Sequence, residues 1–425
     1  MASFSIPLTG LNADSIALNT IANNLSNMNT TAFKSQSTKF GDLFYQQIGS
    51  TGAGDPIQVG AGVHVATNQT DFTPGSVAST GSATDVALKG NGFFVLDSGN
   101  GSTEYTRAGN FSLTSNGDLV TSNGLGVMGY PAVNGAVNTN APLAAIHIPI
   151  GQVQQPQATT TLSMTTNLNA VAGSPAFPAQ VTVYDSLGKP HILTVTYTQT
   201  AANQWNYSSA LPAADFAAGV SVPITGVMNF DQSGNLQSVT PNGGALTPVG
   251  TGVGQISTIP LAFNGLADSA NNLNISWNLF GSGATPTIEQ VAATSAMPAT
   301  TQDGFAPGQY QEFNVGSDGT VTVSYSNYQK VNVGQLALAN VANLQGLKML
   351  GNGDYATTLA SGTASVGTSG SSGLGTLQGG ALEGSNVNIS QEFSNLIIAQ
   401  RAFEANSKTV TTFDTVTQET INMIH

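Results

Sequence analysis

The sequence predicts a mainly β protein with a long α-helix at each end and with discontinuous domains nested inside one another. Three observations lead to this fold class. Apolar residues recur every three or four positions near both termini, which is the spacing of one helix face. Between the termini, apolar and polar residues alternate in short runs separated by turn dipeptides, which is typical of β-strands. The order of the segments is palindromic, so each inner region lies between two halves of the next region outward.

The first helix is predicted within residues 1–30. Its apolar seam repeats every seven residues, at Leu11, Leu18 and Leu25. We expect the helix to begin near Thr9 or Asn12 and to fade in the asparagine-rich run 23–29, because asparagine has a low helix propensity. The asparagines of this run are expected to form hydrogen bonds between helices.

The second helix is predicted within residues 386–425, with Asn388 or Ser390 as its N-cap. Its seam residues share one face: Phe393, Leu396, Phe403, Val410, Ile421 and Ile424. Polar residues such as Gln400 and Asp414 take other seam positions, so the seam is weak. We therefore expect the two terminal helices to pair as a coiled-coil-like inner domain. We also expect them to order against copies from neighbouring molecules.

The β regions are predicted from alternation and turn chemistry. An apolar run at 93–96 follows Asn91-Gly92, and Asp318-Gly319 separates two alternating runs, as in a hairpin. Alternating residues around 181–183 and 193–197 predict a meander. The predicted domains are 1–30 with 386–425 as the helical inner core, 31–70 with 361–385 as an extended connector, 71–145 with 286–360 as a β domain, and 146–285 as an inserted outer β domain.

Composition excludes several classes of function. Charged residues make up only 7% of the chain and the net charge is −13, which disfavours nucleic acid and anionic membrane as partners. The absence of cysteine excludes disulfides and thiol chemistry. No positively charged, apolar leader opens the sequence and no run approaches the length of a membrane span, so we expect export without a cleaved signal peptide.

No catalytic, cofactor or metal site is predicted. The four histidines are scattered without a second histidine or a carboxylate at ligand spacing. The glycine-rich runs 250–254 and 373–379 do not open a helix after a strand, so they are read as loops. The protein is therefore not expected to be an enzyme.

Several blocks of the sequence resemble the bacterial flagellar axial family of rod and hook proteins, and the hook members most closely. Residues 23–34 (Asn-Asn-Leu-Ser-Asn-Met-Asn-Thr-Thr-Ala-Phe-Lys), 85–95 with 105–111, and 400–408 are similar to blocks shared by rod and hook members. Residues 183–188 (Val-Tyr-Asp-Ser-Leu-Gly) are similar to the extra outer domain of the hook members. The signature residues are Asn23, Asn24, Phe33, Lys34, Arg401 and Asn406. Ala32 departs from the family, in which many members have glycine before the Phe-Lys pair.

The resemblance implies a structural subunit that polymerises head-to-tail into a curved, hollow tube outside the cell. This tube would be the hook, a universal joint that passes torque from rod to filament. The implied partners are further copies of the chain, the rod, the hook cap, the hook–filament junction proteins and the flagellar type III export apparatus. Phe4 and Leu8 are similar to a short export element; a hydrophobic staple at the helix start is the alternative.

Two other functions remain open at this stage. A distal rod or hook–filament junction subunit would share the terminal blocks, but typical rod proteins lack an insert like 146–285. A secreted, β-rich carbohydrate-binding or adhesive protein would retain glycans and tolerate trimming of its termini. Arg401 has two open interpretations as well: an exposed helix face or a salt bridge to a neighbouring subunit.

Overall fold

The computed structural model describes residues 5–52, 54–99, 101–252, 254–281 and 285–424. The chain divides into two compact units. The first unit comprises Met1–Ile150, Gln311–Ser324 and Lys330–His425. The second unit is an insert made of Gly151–Tyr310 and Tyr325–Gln329. The fold is mainly β, and the helices near the two ends pack against each other, as the sequence predicts.

Two long helices belong to the first unit: α1 spans Ser5–Ser26 and α2 spans Ile389–Ile424. The α1 helix already includes Ser5, so the predicted start near Thr9 or Asn12 is wrong; the Thr9 hydroxyl instead donates to the carbonyl of Ile6. Asn388 caps α2, as predicted, because its side chain accepts the Gln391 N–H. Among the described residues, neither helix is long and apolar enough to cross a membrane.

The segment after α1, predicted as an extended connector, forms two nested pairs of strands. Gln36–Asp42 pairs with Val63–Thr70, and Tyr45–Ser50 pairs with Pro56–Gly60, both antiparallel. The outer pair supports α1: the Thr38 hydroxyl donates to the Thr20 hydroxyl on the helix. The reason is that this segment contains enough β-branched and aromatic residues to pair with itself.

The main sheet of the first unit is built around the buried strand Phe93–Asp97, in which Phe93, Phe94, Val95 and Leu96 are all buried, as predicted. Phe93 packs against Phe72 and Tyr355, with ring centroids 5.9 and 5.5 Å away. A 3₁₀ helix spans Leu344–Gly346. The strands of this sheet are Thr103–Thr106, Ser112–Leu113, Leu119–Val120, Gly126–Val133, Ala136–Val137, Ala144–Ala145, Lys330–Leu336, Leu338–Asn340, Lys348–Gly351, Asp354–Ala356 and Ser365–Gly367, with Gly308–Val315 and Thr320–Tyr325 carrying residues of both units.

The glycine- and serine-rich stretch before α2 is ordered by pairing with earlier strands. Thr376–Gly379 pairs with Val86–Lys89, and Ala381–Glu383 pairs with Val77–Ser79. Residues 361–385, predicted as an extended connector, therefore contain strands that pair with earlier parts of the chain. The composition of this stretch alone favours a flexible linker. In the fold, its backbone groups instead form hydrogen bonds with the backbone groups of the earlier strands.

The second unit contains a six-stranded antiparallel meander, as the alternation predicts. Its strands in order are Phe177–Tyr184, Pro190–Ala201, Gln204–Ala210, Ile224–Phe230, Leu236–Thr240 and Thr247–Pro248. A second sheet combines Thr258–Phe263, Leu273–Asn278, Thr161–Asn169, Ile288–Val291 and Ala296–Gln302. Short 3₁₀ helices span Ala213–Asp215 and Pro241–Gly243, and Val153–Gln154 pairs with Gly308–Val315 near Gln309.

The apolar faces of both sheets in the second unit contribute to one core, in which Trp205 and Trp277 are completely buried. The rings of Tyr207 and Trp277 meet edge to face at 5.7 Å. Ile288–Val291 pairs with Thr161–Asn169, so residues 286–310 belong to this unit. Their predicted place in the β domain with 71–145 is wrong, because a short alternating strand does not specify its partner sheet.

Candidate functional site

The contact between α1 and α2 uses small and polar side chains. A β-carbon on Gly10 would lie only 2.7 Å from Nδ2 of Asn406, so the glycine permits close approach of the helices. Asn406 Nδ2 donates to Oδ2 of Asp14 across the contact, at 2.8 Å. Ala13 and Ala399 are buried. The signature residue Asn406 therefore joins the two ends of the chain.

The predicted leucine seam is not the buried face of α1. Leu11, Leu18 and Leu25 are half-buried. The residues that α1 buries are a different set: Pro7, Gly10, Ala13, Thr20, Ile21 and Asn24. The displacement has a physical reason, since small residues let two backbones approach where leucine would hold them apart.

The predicted seam of α2 is only partly buried in the single chain. Phe393, Phe403 and Ile421 are exposed, Leu396 and Val410 are half-buried, and the side chain of Ile424 lies outside the described residues. Large apolar side chains on the helices are exposed in the single chain: Ile6, Leu8, Ile389, Phe393, Ile397, Ile398, Phe403, Val416, Ile421 and Met423. We call this set, which is distributed around α2 and includes two residues of α1, the exposed helix face. Isolated exposed apolar residues are ordinary, but a set of this size is typical of an interaction surface.

The asparagines near the end of α1 mostly bond within the first segment of the chain. Asn24 forms two hydrogen bonds with the backbone of Gln36, at 2.7 and 3.0 Å. Asn27 donates to the carbonyl of Asn23, one helical turn earlier. The prediction of bonds between helices is wrong for Asn23 and Asn27, which bond to each other, whereas the Asn24 side chain also forms a hydrogen bond with Glu392 on α2. Burial raises the pKa of Glu392, and the Asn24 hydrogen bond opposes that rise.

A buried ion cluster joins both connectors to the main sheet. Lys34 Nζ lies 2.7 Å from Glu383 Oε1, and Arg107 Nη2 lies 2.9 Å from Glu383 Oε2. Lys34 also donates to the Thr73 carbonyl, while Arg107 donates to the carbonyls of Leu88, Gly90 and Gly92. Burial lowers the pKa of Lys34, the hydrogen bond to Glu383 opposes that change, and the charge of Arg107 adds to it.

The residues beside Lys34 complete this junction. Ala32 has φ 55°, in the left-handed region that favours glycine, which explains why glycine suits this position. Phe33 is half-buried. Asn386 accepts the Ser35 N–H and donates to the Asp71 carbonyl, both at 2.8 Å. The junction thus holds the root of α2 against the chain that follows α1.

Two other predicted residues lie at the surface. Leu8 is exposed on α1, and Phe4 lies outside the described residues. Arg401 is exposed and pairs with Glu404 at 3.4 Å on the same helix, which is the first of its two interpretations. Such an exposed pair contributes little stability by itself.

Four protein-family profiles match the sequence. They are the flagella basal body rod protein at residues 6–34, the hook protein FlgE/F/G D1 domain at 87–167, the flagellar basal body protein FlaE D2 domain at 169–305, and the basal body rod FlgEFG C-terminal family at 378–423. The matches at the two ends cover α1 and α2 except for Ser5 and Ile424. The D2 match lies within the second unit.

The chain is similar along its length to curated hook proteins. It is 36% identical to the flagellar hook protein FlgE of Salmonella typhimurium, with 99% of this chain and 100% of that protein covered. It is 34% identical to the flagellar hook protein FlgE of Treponema pallidum, with 100% and 99% covered. The chain belongs to the flagellar hook protein family.

The fold agrees with this membership. A solved structure of Helicobacter pylori flagellar hook protein FlgE2 matches with a TM-score of 0.51 at 14% identity, covering 72% of this chain and 99% of that one. As a member of the hook family, the chain is a structural subunit of the bacterial flagellar hook, and it takes part in a flagellar polymer. The resemblance inferred from the sequence is thereby confirmed.

Sequence reasoning missed two parts of the site. Gly10 and Asp14 lie outside the predicted leucine seam. The sequence feature that could have identified them is the helical spacing of small residues beside that seam. Arg107 and Glu383 were not singled out as partners of Lys34. In a chain with so few charges, each lysine or arginine inside a strand or connector was a usable signal of a buried ion pair.

Proposed function

We propose that the exposed helix face is the surface through which hook subunits join. The observation that carries the proposal is the exposure of aromatic and aliphatic side chains, such as Phe393 and Phe403, on a helix whose inner face is already packed. Removing this area from water in a neighbouring subunit would contribute about 25 cal/mol per Å² of apolar surface. The leucines of α1 are half-buried and add to the same surface.

The subunits form an open, helical tube on this proposal, because a heterologous contact that does not close generates a filament. The helices hold the wall of the tube together. The second units slide past each other through polar, hydrated contacts that re-form at low cost. The curved tube then bends while it passes torque from rod to filament, as a universal joint. The subunit has no catalytic role on this proposal. Its other partners are the rod, the hook cap and the hook–filament junction proteins.

The test of the assembly surface is a double substitution, Phe393→Ser with Phe403→Ser. We expect the critical concentration for tube formation, measured by sedimentation and electron microscopy, to rise at least tenfold. The dilute chain should keep its unfolding midpoint, since exposed side chains change stability by only about 0.5 kcal/mol. The matched control is Val220→Ser with Val222→Ser, which removes exposed valines from the second unit. Unchanged assembly of the phenylalanine variant would rule out this surface.

Export by the flagellar type III apparatus, without a cleaved signal peptide, is the second part of the proposal. Leu8 is exposed on the first turns of α1, where a receptor could bind it. Phe4→Ala with Leu8→Ala should reduce the secreted fraction strongly, while Ile6→Ala, which is exposed nearby, should secrete normally. Normal secretion of the double variant would mean that Phe4 and Leu8 contribute only to the structure of the helix start.

A further inference from the structure

A buried histidine in the second unit is surrounded by carboxylates. His191 is completely buried in strand Pro190–Ala201, and its Nε2 lies 2.9 Å from Oδ2 of Asp185. The tight turn before the strand orients this contact. Oδ1 of Asp185 accepts the N–H groups of Leu187 and Lys189, which leaves Oδ2 for the imidazole. The prediction that no histidine has a carboxylate at ligand spacing is therefore wrong for His191.

Two more carboxylates converge on the same ring from distant parts of the unit. Oδ2 of Asp268 lies 4.0 Å from His191 Nε2, and Oδ2 of Asp215 lies 3.1 Å from His191 Nδ1. Within the described part of the chain, Asp268 Oδ2 is buried and has no hydrogen-bond partner of acceptable geometry. Buried polar atoms without partners are costly, so this arrangement points to a missing ligand.

The charge of the cluster points to the kind of ligand. Three carboxylates face one ammonium group, that of Lys189, which is partly exposed and stands 3.6 Å from Asp268 and 3.9 Å from Asp215. Because carboxylates outnumber the neighbouring ammonium group, a cation is the favoured ligand. Burial by itself would raise the pKa of Asp185, but its hydrogen bonds with His191, Asp268 and backbone amides hold the pKa below the usual value.

We propose that Asp185, His191 and Asp268 bind a divalent transition-metal ion, for which Zn²⁺ is the best fit. Their ligand atoms all lie within 4.8 Å of one another. A tetrahedral Zn²⁺ with bonds of about 2.0–2.1 Å separates its ligand atoms by about 3.3 Å, between the two distances found from His191 Nε2. Imidazole nitrogen and carboxylate oxygen are both ligand atoms that Zn²⁺ binds in proteins.

Asp215 acts as a positioning residue in this site. A histidine that binds a metal through one ring nitrogen usually donates the N–H of the other to a carboxylate. Oδ2 of Asp215 lies beside His191 Nδ1 and would accept that N–H. Asp215 and Asp268 are each partly exposed, which provides a route of entry beside Lys189. Lys189 competes with the ion for Asp268.

The test is equilibrium dialysis of the full chain, freed of metal and kept dilute, against Zn²⁺ alone. We expect one saturable equivalent and a higher thermal midpoint with Zn²⁺. Asp268→Asn should weaken binding at least tenfold while retaining the hydrogen bond that position 268 accepts from the Ala270 N–H. Asp215→Asn should weaken binding about 10–100-fold without changing the stoichiometry. Lys189→Met should tighten binding.

The matched control is Asp118→Asn in the first unit, where Asp118 pairs with His147 at 3.0 Å and both side chains are about half exposed. This variant should bind Zn²⁺ as the unchanged chain does. The proposal is overturned if no saturable binding occurs, or if Asp118→Asn weakens binding as much as Asp268→Asn. It is also overturned if Lys189→Met lowers the thermal midpoint while Zn²⁺ does not change it. That result would show that Lys189 alone balances the carboxylates.

Discussion

The insert buries its largest apolar side chains, whereas the terminal helices leave many of theirs exposed. Trp205 and Trp277 are completely buried within the second unit, whereas Phe393 and Ile398 on α2 are more than half exposed. The difference shows that a single chain completes the core of the insert but leaves the outer face of the helix pair without a partner. On the proposal that this face joins subunits, stability and assembly are carried by different parts of this molecule, and substitutions can separate them.

The largest expected effect comes from the completed core. Trp277→Ala should lower the free energy of unfolding of the second unit by about 3–5 kcal/mol, because it leaves a cavity beside Tyr197 and Tyr207. Urea unfolding followed by fluorescence measures this change. The comparison substitution Phe393→Ala should alter the unfolding of the dilute chain by no more than about 0.5 kcal/mol. Equal losses from the two substitutions would contradict the contrast between the regions.

The buried ion cluster is the next place to probe. Glu383→Gln leaves Lys34 and Arg107 buried without a counter-charge, so the first unit should lose about 3–5 kcal/mol. The readout is the midpoint of denaturant unfolding, with helix content followed separately by circular dichroism. Glu404→Gln breaks an exposed pair with Arg401 and should cost less than about 1 kcal/mol. A small effect at position 383 would mean that water reaches the cluster.

A smaller effect is expected at the close helix contact. Gly10→Leu should cost about 1–3 kcal/mol, because the new side chain occupies the place of Asn406 and separates α1 from α2. Thermal unfolding monitored by circular dichroism of the helices measures the loss. Ala22→Leu, at an exposed position of the same helix, serves as the control and should be nearly neutral. If the two variants behaved alike, the helices would not depend on this contact.

The smallest effect concerns the bend at the end of α1. Ala32→Gly should leave stability unchanged or raise it by up to about 1 kcal/mol, because glycine adopts the left-handed conformation without strain. The matched substitution Ala22→Gly lies inside the helix and should lower stability by about 1 kcal/mol. Parallel denaturant titrations compare the two. A larger loss at position 32 than at position 22 would show that the buried methyl group outweighs the backbone strain.

The sequence by itself determined the elements whose signals are local. The two terminal helices, the buried strand Phe93–Asp97 and the meander that begins at Phe177 follow from periodicity and turn chemistry within a few neighbouring residues. The short signature blocks were sufficient to indicate the family for the same reason. Helix faces were harder, because both the leucine seam and the small-residue stripe fit a helical period.

Only the tertiary structure decided which residues meet. Lys34 and Glu383 stand 349 positions apart, and Asp14 and Asn406 stand 392 apart, so no local pattern could have paired them. The same holds for Asp268, which approaches His191 from a loop between two strands of the other sheet. Such partners are selected by the packing of the whole chain, where burial makes each unpaired charge or amide costly.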